Sequence, residues 1–336
     1  MGKISNILNN KKLCIILSII SITVFVVLTL TNPHFRSFNY DEIWAYCIAQ
    51  DLSFVEIIKL MRYELHTFVW YMVIKPFTYF PQLYPFILKY LNWFFAFSAI
   101  CVFHKFAPVN TFLKILITFT MPFLFVYPLE ARCYSIGIFL LFILTALYKD
   151  RLKHPVLFSV LIFFTANTSM MALLGAFALS IFFVLDLFKQ HILDNKNYKK
   201  IILPLSILLL TAFFIIWQWH NPVIMNYVYS EAVINSRREI VENFYFGYEN
   251  IILQYISYIV FCVITPILLL INIIQDKKQS IKWLFFFLIT VVFINIIFIF
   301  FYKALFHHLG FVFVYLIILY WLKIENEPIF KPVSLA

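Results

Sequence analysis

Residues 13–30 read LCIILSIISITVFVVLTL, eighteen positions in a row without a charge. A helix rises about 1.5 Å per residue, so such a run crosses most of a hydrocarbon layer roughly 30 Å thick while pairing its own backbone groups. The preceding MGKISNILNNKK looks like the charged start of a secretory signal, but the apolar run has the length of a span and no small-residue cleavage site follows. The expectation is a retained anchor.

Nine further runs follow, near 83–103, 109–127, 133–148, 155–167, 170–188, 201–219, 251–274, 282–302 and 304–322. The expected fold is therefore all-α: a polytopic transmembrane protein of about ten spans, with residues 1–336 forming a single transmembrane domain. Composition agrees, because 63% of the 336 residues are hydrophobic and 12% are charged, where a soluble domain carries about 25% charge. Five glycines and 42 phenylalanines exclude disordered, collagen-like and Gly-rich phosphate-loop classes.

The formal charge of +10 is explained by where the bases sit. With a cytoplasmic N-terminus, the tails and the loops HKFAPVNTFLK, KDRLKH, KQHILDNKNYKK and QDKKQSIK share one face and hold 17 of the 26 Lys and Arg. That is the positive-inside pattern, and it leaves no need for a nucleic-acid partner. It places both termini in the cytoplasm, and short loops with no eukaryotic targeting signal point to a bacterial cytoplasmic (inner) membrane. The five cysteines are scattered, with no metal spacing; Cys47 and Cys133 fall near the outer face, where an oxidising compartment would permit a pair.

Two extracytoplasmic connections are long, residues 31–82 and 220–250. Loops on a helical scaffold carry function, so the working surface is expected outside. In DLSFVEIIKLMRYE (51–64), Ser53 and Glu56 have capping-box spacing, and Glu56, Lys59 and Arg62 recur against Val55, Ile58 and Met61, an amphipathic pattern suited to an interface. TFVWYMVIKPFTYF (67–80) is apolar and aromatic but only 14 residues long, which fits the headgroup boundary. Two interfacial helices are expected in this loop.

Before them stands FNYDEIWAY (38–46), with the adjacent acids Asp41 and Glu42. On a helix neighbouring side chains diverge by about 100°, so the two cannot share a proton as a facing dyad, and at most one is a working carboxylate. At comparable depth lie His66, Lys89 in the outer half of the second span, Glu130 and Arg132 in EARCYS (130–135), and Lys303, His307 and His308 where the last two spans meet. Charges at membrane depth are costly and face a polar cavity or one another. Each also has a plainer reading: snorkelling for Lys89, a salt bridge to Glu130 for Arg132, and interfacial packing for the two histidines, which diverge too far to chelate one metal unaided. Arg62 and Lys75 are weaker candidates for binding a phosphate, with headgroup contact as their plainer reading, and Arg237 and Arg238 are weaker candidates for binding a substrate, with a solvated charge run as theirs.

The order of these elements resembles the type C (GT-C) membrane glycosyltransferases, which include protein mannosyltransferases and the lipid A aminoarabinose transferase. The resemblance rests on DE after the first span, a His-centred HTFVWY (66–71), a basic residue entering the second span, and E-A-R-x-Y-S, with Tyr134, opening the fourth. It covers roughly residues 1–190; the prolines that follow the family's histidine are absent after His66.

The resemblance implies sugar transfer on the extracytoplasmic face, from a polyprenyl-phosphate-linked donor to a lipid, glycan or protein acceptor of the cell envelope. Such chemistry needs a base for the acceptor's proton, for which Asp41 is the first choice and Glu42 the second. It also needs positive charge for the departing phosphate: Arg132, with Lys89, Lys303, His307 and His308 behind it. His66, Glu130 and Tyr134 complete the expected substrate contacts, and a divalent metal ion stays open. The rival readings are a lipid-linked saccharide flippase or transporter and a polysaccharide polymerase. A transporter calls for mid-span charges, helix breaks or internal repeats, and little of that is visible in this sequence.

Overall fold

The computed structural model describes residues 11–64, 67–193, 199–219, 280–300 and 306–326. Among these the chain is helical, with no strand. The helices are α1 (Lys11–Leu30), α2 (Tyr40–Asp51), α3 (Phe54–Leu60), α4 (Val69–Thr78), α5 (Phe86–Phe106), α6 (Thr111–Thr118) and α7 (Tyr134–Leu147). They continue with α8 (Pro155–Ala166), α9 (Met170–Leu193), α10 (Lys199–Trp219), α11 (Ser280–Phe287), α12 (Phe293–Phe300) and α13 (Phe306–Asn326).

Among the described residues, five segments are long and apolar enough to cross a membrane: Lys11–Leu30, Phe86–Phe106, Met170–Lys189, Ile201–Gln218 and His307–Glu325. Pro155–Ala166 and Lys282–Ile296 are shorter apolar helices. Burial runs opposite to that of a water-soluble fold. Leu209, Phe213 and Ile15 are 71%, 66% and 58% exposed, while Glu42 and Lys89 are 0% and 2% exposed. Large apolar side chains on the outside and charges on the inside suit a hydrocarbon surround.

The run 109–127, expected as one span, is divided into α6 and a wider turn over Pro122–Val126. Pro122 has no N–H for Thr118 and its ring crowds that carbonyl, so the α-helix stops there. The hydroxyls of Thr118 and Thr120 bond back to Lys114 O and Ile117 O. The expected span 251–274 and the loop 220–250 lie outside the described residues.

Packing divides the chain into two compact units. The first comprises Met1–Ile57, Phe68–Asp150 and Trp321–Ala336; the second comprises Ile58–Thr67 and Arg151–Tyr320. In the first, α5 packs on α7, α2 on α4, and α1 on α5 and α6. Trp93 Nε1 ties α5 to α1 by donating to Thr29 Oγ1 at 2.8 Å, and Phe103, Phe142 and Trp321 form an aromatic core. In the second, α8 packs on α9 and α10, the Tyr315 hydroxyl donates to Met171 O, and Arg151 Nε donates to Asp186 at 3.0 Å.

The stretches 51–64 and 67–80 of the loop 31–82 carry helices α3 and α4. The Ser53–Glu56 box forms as its spacing predicts: Ser53 N donates to Glu56 Oε2 at 2.8 Å and Glu56 N to Ser53 Oγ at 3.4 Å. A third helix, α2, precedes them. Asn39 and Glu42 have the same three-residue spacing, and Asn39 N donates to Glu42 Oε2 at 2.9 Å, so the acidic pair opens a helix.

Candidate functional site

The first unit holds the site, and α2 sets its geometry. Asp41 and Glu42 occupy the first turn of α2, where carboxylates also favour the helix dipole. The divergence of neighbouring helical side chains sends Glu42 into the protein, with no exposed surface, and leaves Asp41 55% exposed.

Glu42 is fully engaged. Its Oε1 lies 2.7 Å from Lys89 Nζ and also accepts from Ala131 N, while Oε2 takes the Asn39 N–H. Lys89, in the first turn of α5, additionally donates to Leu129 O at 2.6 Å, with its ammonium 5.3 Å from the Phe38 ring centre. A buried ion pair overcomes desolvation only when such extra hydrogen bonds complete it, and this one has them.

The same polar ring fixes the turn 127–133. Asn92, one turn beyond Lys89, donates to Tyr127 O at 2.7 Å, and Ser135 Oγ donates to the same carbonyl at 2.7 Å. Leu129 O and Ala131 N are held by Lys89 and Glu42. Arg132 N donates to Glu130 O at 2.8 Å, closing the turn.

Arg132 projects from this locked turn. Its Nη2 donates to Asp41 Oδ2 at 2.6 Å, and its guanidinium lies 5.6 Å from the ring centre of buried Tyr134. Burial disfavours its charge, yet Tyr134, Asp41, Cys133 and Glu130 around it push its pKa up, so the guanidinium stays cationic. Next to Asp41, the rings of Tyr40 and Trp44 stack 6.2 Å apart, 75% and 45% exposed. The outcome is an accessible carboxylate and a cation in contact, flanked by exposed amphipathic rings.

Of the sequence candidates, Asp41, Glu42, Lys89, Arg132 and Tyr134 are brought together here, and half-buried Glu130 stands next to them in the turn. Glu42 and Lys89 are committed to each other and to main-chain groups. Arg132 pairs with Asp41, and Glu130 also acts on its charge. His307 and His308 belong to the second unit, buried in the first turn of α13 with ring centres 4.1 Å apart. His66, Lys303, Arg237 and Arg238 lie outside the described residues.

Lys75, expected at the headgroups, is instead buried: its Nζ donates to Ala49 O at 2.9 Å and caps the C-terminal end of α2. Arg62 lies 5.2 Å from the Trp217 ring centre. No disulfide joins Cys47 to Cys133. Both Glu42 oxygens accept hydrogen bonds and Asp41 contacts a guanidinium, so in this arrangement the acid pair is already engaged, and His66 beside it in the sequence reading lies outside the described residues. Among the described residues no three His, Cys, Asp or Glu side chains gather as a metal cage.

Asn39, Asn92 and Ser135 were not anticipated in the site. Asn39-x-x-Glu42 carried a capping signal, and the spacing of Lys89 and Asn92 places them on one helix face. No family model matches the chain, and neither a curated protein nor a solved structure matches it.

Proposed function

We propose that this chain is a membrane glycosyltransferase that moves a sugar from a polyprenyl-phosphate-linked donor to a cell-envelope acceptor, with Asp41 as general base and Arg132 as the phosphate-binding cation. The observation that carries the reading is the Asp41–Arg132 contact at 2.6 Å, on main chain that the buried Glu42–Lys89 pair holds in place. Displacement at an anomeric carbon with a phosphate leaving group needs a proton acceptor and a positive charge within one substrate's length. Asp41 is the exposed member of the acid pair and is free of the structural duties that occupy Glu42.

In this reading the acceptor's hydroxyl or amine oxygen or nitrogen attacks the sugar's C1. Its proton passes to the Asp41 carboxylate, and the C1–O bond breaks with its electron pair going to the phosphate, beside Arg132. The stacked rings of Tyr40 and Trp44 offer an apolar seat with polar edges for the prenyl chain or the sugar face. The site would face outside, with the chain in a bacterial cytoplasmic membrane.

The test is mass spectrometry of envelope glycolipids, polysaccharides and glycoproteins from cells lacking the protein, complemented by wild type or by Asp41→Asn at matched membrane abundance. Wild type should restore one missing sugar, and Asp41→Asn should transfer it about 10²- to 10⁴-fold more slowly, the usual contribution of a general base. Full restoration by Asp41→Asn would remove Asp41 as the base and favour the transport reading.

A further inference from the structure

The two charges assigned opposite tasks in the proposed reaction are, in the structure, bonded to each other. Asp41 Oδ2 takes a hydrogen bond from Arg132 Nη2 at 2.6 Å. A carboxylate held by a guanidinium is a weaker base than a released one, because the cation favours its charged form. A guanidinium neutralised by a carboxylate is likewise a weaker phosphate ligand.

We propose that this pair is a latch opened by the donor: its phosphate displaces the Asp41 carboxylate from Arg132, and the released carboxylate becomes the base. The proposal rests on the glycosyltransferase reading for its last step but not for its first. Displacement is open from the Asp41 side, whose side chain is 55% exposed, and the mostly buried Arg132, 15% exposed, meets an anion in the place that carboxylate vacates. The main chain beneath them does not have to move, since Glu42 and Lys89 hold Leu129 and Ala131 independently of Asp41.

Charge accounting favours the exchange as the reaction proceeds. A polyprenyl-phosphate sugar is a phosphodiester with one negative charge. When the C1–O bond breaks, the departing phosphate gains that electron pair and moves toward the dianion, while Asp41 gains the acceptor's proton and loses its charge. The pull of the phosphate on Arg132 thus grows as the pull of Asp41 fades, which stabilises the transition state more than the bound donor. Between turnovers the latch keeps the Asp41 carboxylate paired and a weaker base.

The experiment measures binding of farnesyl phosphate, a short prenyl phosphate, to the full chain in phosphatidylcholine nanodiscs, with inorganic phosphate and phosphatidylglycerol as competitors. Asp41→Asn should bind about five-fold tighter than wild type, the scale of an exposed ion pair removed from competition. Asp51→Asn, which removes the same charge from the other end of α2, should change affinity less than two-fold at about 0.15 M salt. Arg132→Gln should bind roughly ten-fold or more weaker, and Arg132→Lys, which keeps the charge, should recover part of that loss.

Unchanged or weaker binding by Asp41→Asn overturns the latch, as does equal tightening by Asp51→Asn. Displacement by phosphatidylglycerol as effective as by farnesyl phosphate overturns it too, since the ligand would then be a bilayer headgroup. Displacement by inorganic phosphate alone at matched concentration would show that the prenyl chain adds nothing and would overturn the donor's part. The two readings fail separately: tighter binding by Asp41→Asn in a protein that transfers no sugar keeps the latch and removes the transferase. Sugar transfer dependent on Asp41, with binding that Asp41→Asn does not tighten, does the reverse.

Discussion

Asp41 and Glu42 are neighbours in the chain and near-identical in chemistry, yet each forms an ion pair of a different kind. Glu42 meets Lys89 in the interior, where the two are 0% and 2% exposed and main-chain groups complete the shell. Asp41 meets Arg132 at the surface, with more than half of its side chain open. A buried pair cannot lose a partner cheaply, because the remaining charge is stranded; an exposed pair gains little and gives up little. One helical turn therefore supplies both the fixed frame and the exchangeable contact.

Breaking the frame should have the largest effect. Glu42→Gln leaves the Lys89 ammonium buried without its carboxylate, and a loss of about 3–5 kcal/mol in stability is expected. Lys89→Met should cost a similar amount, and the double variant should recover at least half of the sum, as replaced buried pairs often do. Asp41→Asn, discounted for its exposure, should cost about 0–1 kcal/mol. Reversible unfolding in mixed detergent micelles, with the four variants in one series, measures this. If Asp41→Asn destabilises as much as Glu42→Gln, the contrast between the two pairs is wrong.

Much of this division was legible in the sequence. Adjacent acids on a helix must diverge, so one working carboxylate at most was expected, and Asp41 and Glu42 do part company. Apolar runs such as 13–30 announced their helices because a bilayer demands length and leaves little choice of residue. Partners far apart in the chain were not legible. Arg132 reaches Asp41 across 91 positions, and only the docking of α2 against the turn 127–133 brings the two together. Lys75 likewise finds Ala49 O across 26 positions, and nothing in KPF at 75–77 signals a buried cation. The break after α6 was readable in principle, since Pro122 stood inside an expected span.

Lys75 sharpens the comparison by supplying an intermediate case: a buried cation whose partner is a carbonyl. Its hydrogen bond to Ala49 O satisfies an acceptor that α2 cannot pair within the helix, and its ammonium lies 5.7 Å and 5.9 Å from the ring centres of Phe54 and Tyr79. Lys75→Met keeps the stem and removes the charge, so the expected cost is that of a hydrogen bond to a charged group, about 1.5–3 kcal/mol. The same unfolding series should place it below Glu42→Gln and above Asp41→Asn. A loss equal to that of Glu42→Gln would mean that burial of the cation, not the nature of its partner, sets the scale.

The smallest effect should come from the second capping box, which separates burial from local geometry. Glu56 accepts the Ser53 N–H at 2.8 Å much as Glu42 accepts the Asn39 N–H at 2.9 Å, so the two carboxylates make the same local bond. Glu56, however, is exposed. If local geometry set the value of these contacts, Glu56→Gln and Glu42→Gln would cost alike. If burial sets it, Glu56→Gln should fall well below 1 kcal/mol, since the amide oxygen still accepts the bond and no buried charge is stranded, and Ser53→Ala should cost about 0.5 kcal/mol, the low end for a cap, because its own bond is 3.4 Å long. Effects this small barely move global unfolding, so the measurement is hydrogen exchange read by mass spectrometry over residues 53–60. Ser53→Ala should speed exchange there about two- to three-fold and leave α2 unchanged, whereas Glu42→Gln should open α2 itself.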